Sequence, residues 1–257
     1  MMTDPLYILA VFVFGLMIGS FLNVCIHRLP ESLSIVYPGS RCLRCGHSIK
    51  FYDNIPVLSY LILRGKCRNC ASPISIRYPL VELMSALIAV AVFLKYGLTL
   101  ESLIYYIWMA ALLVVTFIDI DHQIIPDVIT LPGVVFFFSA SFFLSGVTWK
   151  ESILGILLGG CSLYAVAWLY ELLMKKEGMG GGDIKLLAMM GAAIGWKGVL
   201  FTIFASSLIG SIVGVIIMAF SEKDLKLAIP FGPFLSIGGI LFVFFGHELA
   251  AWYLNML

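Results

Sequence analysis

The sequence predicts an all-α polytopic membrane protein of about eight transmembrane helices, with one small polar domain inserted between the first helix and the second. Three observations carry this reading. Of the 257 residues 61% are hydrophobic and 12% charged, and the mean hydropathy is +1.04, too apolar for a soluble domain. The apolar residues gather into segments at or near the roughly 20 residues that a bilayer crossing takes. Only residues 27–78 break this pattern, holding Arg28, Arg41, Arg44, Lys50, Arg64, Lys66, Arg68 and Arg77 against Glu31 and Asp53. The net charge of +1 says little about a membrane protein, and nothing resembles a nucleic-acid-binding footprint.

Residues 6–26 form the first span, apolar and free of charge. The segment before it carries only Asp4, and the basic His27-Arg28 follow it. That order predicts a retained helix with a cytoplasmic C-terminal end rather than a cleaved signal, whose basic region would come first. Asn23 is polar within this span and is expected to face other helices and hydrogen-bond across an interface.

Residues 27–78 are expected to fold as a small soluble domain around Cys42-Leu43-Arg44-Cys45 and Cys67-Arg68-Asn69-Cys70, 21 residues apart. The spacing is close to that of a zinc ribbon, in which two paired turns bring four thiolates into a tetrahedron. A block too short to bury much core gains folding free energy from such a metal. Two disulfides are the alternative and need an oxidising compartment. The excess of positive charge puts this block in the cytosol and favours structural zinc. Cys25 and Cys161 lie in apolar segments as packing residues, and His47 is a bystander to a site already filled by four cysteines.

The remaining apolar segments lie at about 80–94, 103–118, 128–145, 153–174, 184–194, 199–220 and 229–254, which with the first makes eight. The segment 184–194 is short, and the last contains Gly238-Gly239, so one of them either re-enters or kinks instead of crossing simply. The divisions are 1–26 (first span), 27–78 (cytoplasmic zinc-binding domain) and 79–257 (the remaining spans). With 27–78 inside, Lys175, Lys176, Lys185, Lys223 and Lys226 join its eight cations, leaving Lys95, Lys150 and Lys197 outside. The bias places both termini on the outer side.

Chemistry concentrates where two apolar segments meet, in Glu177-Gly178-Met179-Gly180-Gly181-Gly182-Asp183-Ile184-Lys185. Glycine lets another backbone come close, which suits an extended chain lying beside a carboxylate. A flexible connection whose Asp183 caps the next helix fits the same residues. A second acid, Asp119, ends the segment 103–118 at matching depth. Two carboxylates near hydrocarbon are functional candidates, since one can activate water while the other, protonated, donates to a scissile peptide. Brought together, they share a proton. Asp121, Asp127, Glu82 and Glu171 compete for these roles. Asp127 after Pro126 fits a helix cap, Asp121 a solvated site, Glu82 a partner of Arg77, and Glu171 an i,i+4 pair with Lys175.

Gly19-Ser20-Phe21-Leu22-Asn23-Val24, His27-Arg28-Leu29-Pro30, the two Cys-x-x-Cys pairs, Arg77-Tyr78-Pro79-Leu80-Val81-Glu82, Ile118-Asp119 with Pro126-Asp127, Gly178-Met179-Gly180, Gly182-Asp183-Ile184-Lys185-Leu186 and Pro230-Phe231-Gly232-Pro233 together span nearly the whole chain. In these residues the sequence resembles the type IV prepilin peptidases, bifunctional leader peptidases and N-methyltransferases of the GxGD intramembrane aspartyl class. The resemblance implies that Asp119 and Asp183 are the catalytic acids and that Gly180 and Gly182 form the substrate loop beside them. It makes 79–257 the protease domain, in an inner-membrane enzyme that removes the basic leaders of type IV prepilins and pseudopilins at the cytoplasmic face. Methylation of the new N-terminal residue from S-adenosylmethionine is implied too, with Gly65 and Lys66 of the cytoplasmic domain as candidate residues.

A proton- or metal-coupled transporter would also place acids within spans, though usually at mid-membrane and in repeated halves. A structural assembly protein would account for the cysteine block but leaves the two acids without a purpose.

Overall fold

The computed structural model describes residues 4–175, 180–220 and 229–254. Their regular structure is helical: α1 (Pro5–Arg28), a 3₁₀ turn at Phe51–Asp53, α2 (Leu58–Ile62), α3 (Arg77–Tyr96), α4 (Leu100–His122), α5 (Asp127–Ala140), α6 (Trp149–Met174), α7 (Gly181–Phe220) and α8 (Gly232–Leu254). Five of these, α1, α3, α4, α6 and α7, are long and apolar enough to cross a membrane, and α5 and Gly232–Gly246 of α8 are shorter apolar helices. The 40 residues of α7 are interrupted at Gly195, whose φ of 68° and ψ of 179° leave the helical region. The expected segments 184–194 and 199–220 are the stretches on either side of that break. Lys176, Gly178, Met179, Lys223 and Lys226, used in the charge and loop readings, lie outside the described residues.

Local sequence sets the helix starts. Asp4 accepts from the Leu6 amide at 3.0 Å with Pro5 in the first turn of α1. Thr148 and Glu151 form a capping box at the start of α6, and Gly97, at φ 71°, ends α3.

The chain divides into two compact units, Met1–Val114 and Val115–Leu257. In the first, α1 and α3 pack through small residues. A Cβ on Gly15 would stand 2.6 Å from the Ala86 Cα, and one on Gly19 2.6 Å from the Glu82 Cα. Gly15 and Gly19 are four apart, so one face of α1 lets the helix backbones meet. Across that face Ser85 Oγ donates to the Gly15 carbonyl at 2.8 Å, and Asn23 Nδ2 donates to the Tyr78 carbonyl at 3.0 Å. The interhelical role expected of Asn23 is thus observed.

In the second unit the first half of α7 forms the core, with Leu186, Leu187, Met189 and Met190 fully buried. Gly155 and Gly191 face each other so closely that a Cβ on either would strike the other's carbonyl, and Ser152 Oγ donates to the Ala192 carbonyl at 2.8 Å. On another side a Cβ at Gly133 would meet the Met189 side chain. The start of α7 is therefore held by α5 and α6.

Candidate active site

Asp119 lies in the last turn of α4 and is only 5% exposed. Its Oδ2 accepts from the backbone amide of Gly232, the first residue of α8, at 2.9 Å. A Cβ on Gly232 would stand 2.7 Å from that oxygen, so a glycine is what allows the backbone to come this close. Asp183 is the third residue of α7, near enough to Asp119 for their charges to interact. Its Oδ1 is buried and has no hydrogen-bond partner among the described residues. A buried acceptor left unpaired is rare, and active sites are one place that tolerates it. Both acids therefore meet helix N-termini, where peptide dipoles favour negative charge.

Ile125 closes one side of this arrangement. It would touch a Cβ on Gly182 at 2.8 Å, and its Cδ1 lies 3.3 Å from the Cβ position of Gly232. Gly180 and Gly181 have open surroundings: a Cβ at Gly181 would meet nothing within 4 Å. Asp127 does not cap α5. Pro126 holds the cap position without a side-chain bond, while both Asp127 oxygens accept from Lys185 Nζ at 2.8 Å. Capping fails because Asp127 already lies inside the first turn. Instead, its ion pair ties that turn to the first turn of α7. Asp121 is exposed, and Glu82 accepts from the Val57 amide at 2.7 Å.

The cysteine block is built from the same turn used twice. The Cys42 amide donates to the His47 carbonyl and the Gly46 amide back to the Cys42 carbonyl, both at 2.9 Å. Cys67 with Ser72, at 2.8 Å, and Ala71 with Cys67, at 2.9 Å, repeat the pattern. Single antiparallel bridges, Arg41 with Ser48 and Lys66 with Pro73, flank the two turns. The four sulfurs lie within 4.8 Å of one another, a set that can hold a metal ion, and all are free thiols. Amides of Cys45 and then Arg44 donate to the Cys42 sulfur and pull its pKa down to about 6. The hydroxyl of Ser72 lowers that of Cys70. Both effects favour the thiolates that a metal requires, whereas the Cys45 thiol is pushed up, the lowering by the His47 amide being outweighed by desolvation and by its bonds to Cys42 and Cys70.

A sequence model described as the type IV leader peptidase family matches residues 104–215, which include both acids, and one described as the bacterial peptidase A24 N-terminal domain matches residues 13–96. The chain belongs to the type IV leader peptidase family. It is 38% identical to the prepilin leader peptidase/N-methyltransferase of Pseudomonas putida, with 99% of this chain and 96% of that protein aligned. Proteins of the same description from Pseudomonas aeruginosa and Aeromonas hydrophila are each 39% identical, with 97% of this chain and 94% of theirs aligned. No solved structure matches. These matches give the transporter reading no support.

Beside the two acids, the structure adds two contacts that the sequence left unassigned. Gly232 belongs to Pro230-Phe231-Gly232-Pro233, a stretch noted for resemblance but given no role, and the structure sets its amide on Asp119. Lys185 follows the acid by two residues, and its pairing with Asp127 needed knowledge of how α5 meets α7.

Proposed function

We propose that this chain is a membrane-embedded aspartic endopeptidase that removes the basic leaders of type IV prepilins and pseudopilins at the cytoplasmic face, then N-methylates the exposed residue from S-adenosylmethionine. The observation that carries this is the approach of Asp119 and Asp183 at helix ends in a chain that matches leader peptidases over nearly its full length. One carboxylate takes a proton from water as the oxygen attacks the scissile carbonyl. The other donates to the carbonyl oxygen, and the proton bookkeeping reverses as the amine leaves. The Gly232 amide fixes Asp119, and the open backbone at Gly180, with Gly182 beside Ile125, gives an extended leader junction room to lie against the pair.

In this reading eight spans cross the bilayer, α7 crossing twice around Gly195. Residues 1–26 are the first span, 27–78 the cytoplasmic domain and 79–257 the protease domain. The cysteine set fits zinc. A tetrahedron with bonds of about 2.3 Å separates its sulfurs by about 3.8 Å, and Cys42 and Cys70 lie 3.8 Å apart. Four thiolates close the coordination shell, so the metal would support folding and keep clear of the peptide bond. Gly65 and Lys66 belong to the methylating half. Incubating the purified protein with a prepilin and following mass tests the whole reading. Loss of a leader and gain of a methyl group are expected, and an unchanged prepilin would overturn it.

A further inference from the structure

We propose that a cavity of about 840 Å³ in the Met1–Val114 unit is where the methyl donor and the receiving amine meet, with the buried Glu82 side chain as its polar anchor. This rests on the N-methylation reading above and gives that activity a location. The cavity is bounded by the C-terminal half of α1, the cysteine turns and the start of α3. Its volume lies in the upper part of the range that small-molecule pockets occupy, roughly 300–1,000 Å³, enough for a nucleoside-sized donor and a chain end together.

Three features mark its wall as a built site, the first two joined by a hydrogen bond. Glu82 is 8% exposed, one oxygen accepts from the Val57 amide at 2.7 Å, and the Ser20 hydroxyl also bonds to the carboxylate. A carboxyl group held this way cannot swing out to solvent, and it stands in a wall whose other charged residues are Asp53, paired with Arg68, and the cations Arg28, Arg41, Arg44 and Lys50, which suit the donor's own carboxylate. The donor is a sulfonium with its own ammonium group, and the acceptor is a peptide N-terminus. Val57, beside it in the wall, has φ 60° and ψ −49°. A β-branched residue at positive φ is strained, and such strain persists where a site requires it. Tyr60 and Tyr78 supply aromatic faces for a purine or a sulfonium.

The same geometry gives Gly65 a role that differs from contact. Gly65 does not line the cavity. At φ 66°, it stands behind Tyr60, and a Cβ there would come within 3.0 Å of the tyrosine hydroxyl. Gly65 is a positioning residue, acting through the ring that does line it. In the transfer, the peptide N-terminus first gives its ammonium proton to water, its neutral nitrogen then attacks the methyl carbon, and the C–N bond forms as the C–S bond breaks. The sulfonium becomes a thioether, and the surplus proton on nitrogen passes to water.

The test is calorimetric titration of the full-length protein in detergent with S-adenosylhomocysteine. One site per chain is expected. Glu82→Gln keeps an acceptor for the Val57 amide and should weaken binding by about tenfold, the cost of losing one charge-assisted contact. Val24→Trp, which fills the cavity, should abolish binding, and Gly65→Ala should weaken it through Tyr60. Thermal unfolding and helicity check the fold of each variant. Ultraviolet cross-linking of methyl-labelled S-adenosylmethionine to the unmodified protein gives a readout that needs no variant, and the label should map within residues 20–82. Label outside that range, or unchanged binding in folded Glu82→Gln and Val24→Trp, would overturn the cavity assignment while leaving N-methylation standing. Absence of both binding and methylation of a cleaved pilin would remove the N-methylation reading and the cavity with it.

Discussion

Asp119 and Asp183 are the residues on which the proposed chemistry turns, and an amide in place of either keeps the shape but cannot cycle a proton. Asp119→Asn and Asp183→Asn should each abolish leader cleavage while the protein remains folded in the membrane. Asp121→Asn and Asp127→Asn should retain much of it, since Asp121 is exposed and the ion pair between Asp127 and Lys185 is half-exposed, worth about 1 kcal/mol or less. A mass-spectrometric cleavage assay checks all four, and near-normal cutting by Asp183→Asn would exclude the mechanism. Gly232→Ala supplies a sharper probe. The added methyl would meet Asp119 Oδ2 at 2.7 Å, so a loss of cleavage of at least about tenfold is expected in a protein that still folds. Gly181→Ala, with nothing within 4 Å, serves as the control and should cut nearly as well as the parent. These residues also show how far the sequence could be read. The two acids stood out as candidates from their place at the ends of apolar segments and from the motif around Asp183, and the family resemblance, more than spacing, singled out Asp119 from its neighbours. The partner of Asp119 was not legible, because Gly232 lies 113 positions away and acts through its backbone, which leaves no mark in residue chemistry.

At the scale of elements, the doubled cysteine turn was the most readable part of the fold. Two Cys-x-x-Cys pairs at ribbon spacing already implied four converging sulfurs, as observed. A pH dependence follows from the Cys42 thiol, whose value near 6 lies below the ordinary thiol range of about 8.5. A depressed value means that its contribution to stability is complete above the ordinary range and is lost as pH falls through about 6. Zinc should therefore be retained at one per chain through dialysis against a chelator at pH 7.5 and released at pH 5, as metal analysis would show. No zinc at neutral pH, or a disulfide mapped among these residues, would count against the site. Less legible were the helix ends near the acids. Asp127 reads as a cap from its position after Pro126, but the helix begins one residue earlier than that reading needs, and the side chain turns to Lys185 instead. The break in α7 was anticipated only as a gap between apolar segments, and its cause, Gly195 at positive φ, is a backbone property.

For the whole molecule, composition alone settled the multi-pass class, while orientation rests on the distribution of lysine and arginine. Gly39 and Gly146 are useful probes because a side chain at either would meet nothing within 4 Å. In a background with Cys25 and Cys161 replaced and the metal bound, Gly39→Cys should label from the cytoplasm and Gly146→Cys from the periplasm. Labelling of both from one side would mean that the number of crossings between them is wrong. The compact units divide at Val114, inside α4, whereas the two family matches leave a gap between residue 96 and residue 104. Anyone splitting the gene for co-expression would cut in that gap. The shorter half would then lose Tyr105, stacked on Tyr96 with centroids 4.9 Å apart, and Tyr106, bonded to Ser85 at 2.8 Å. A 1–122 fragment should accumulate in membranes where a 1–96 fragment is degraded, because the natural seam for modular exchange runs through a helix and not through the connection before it.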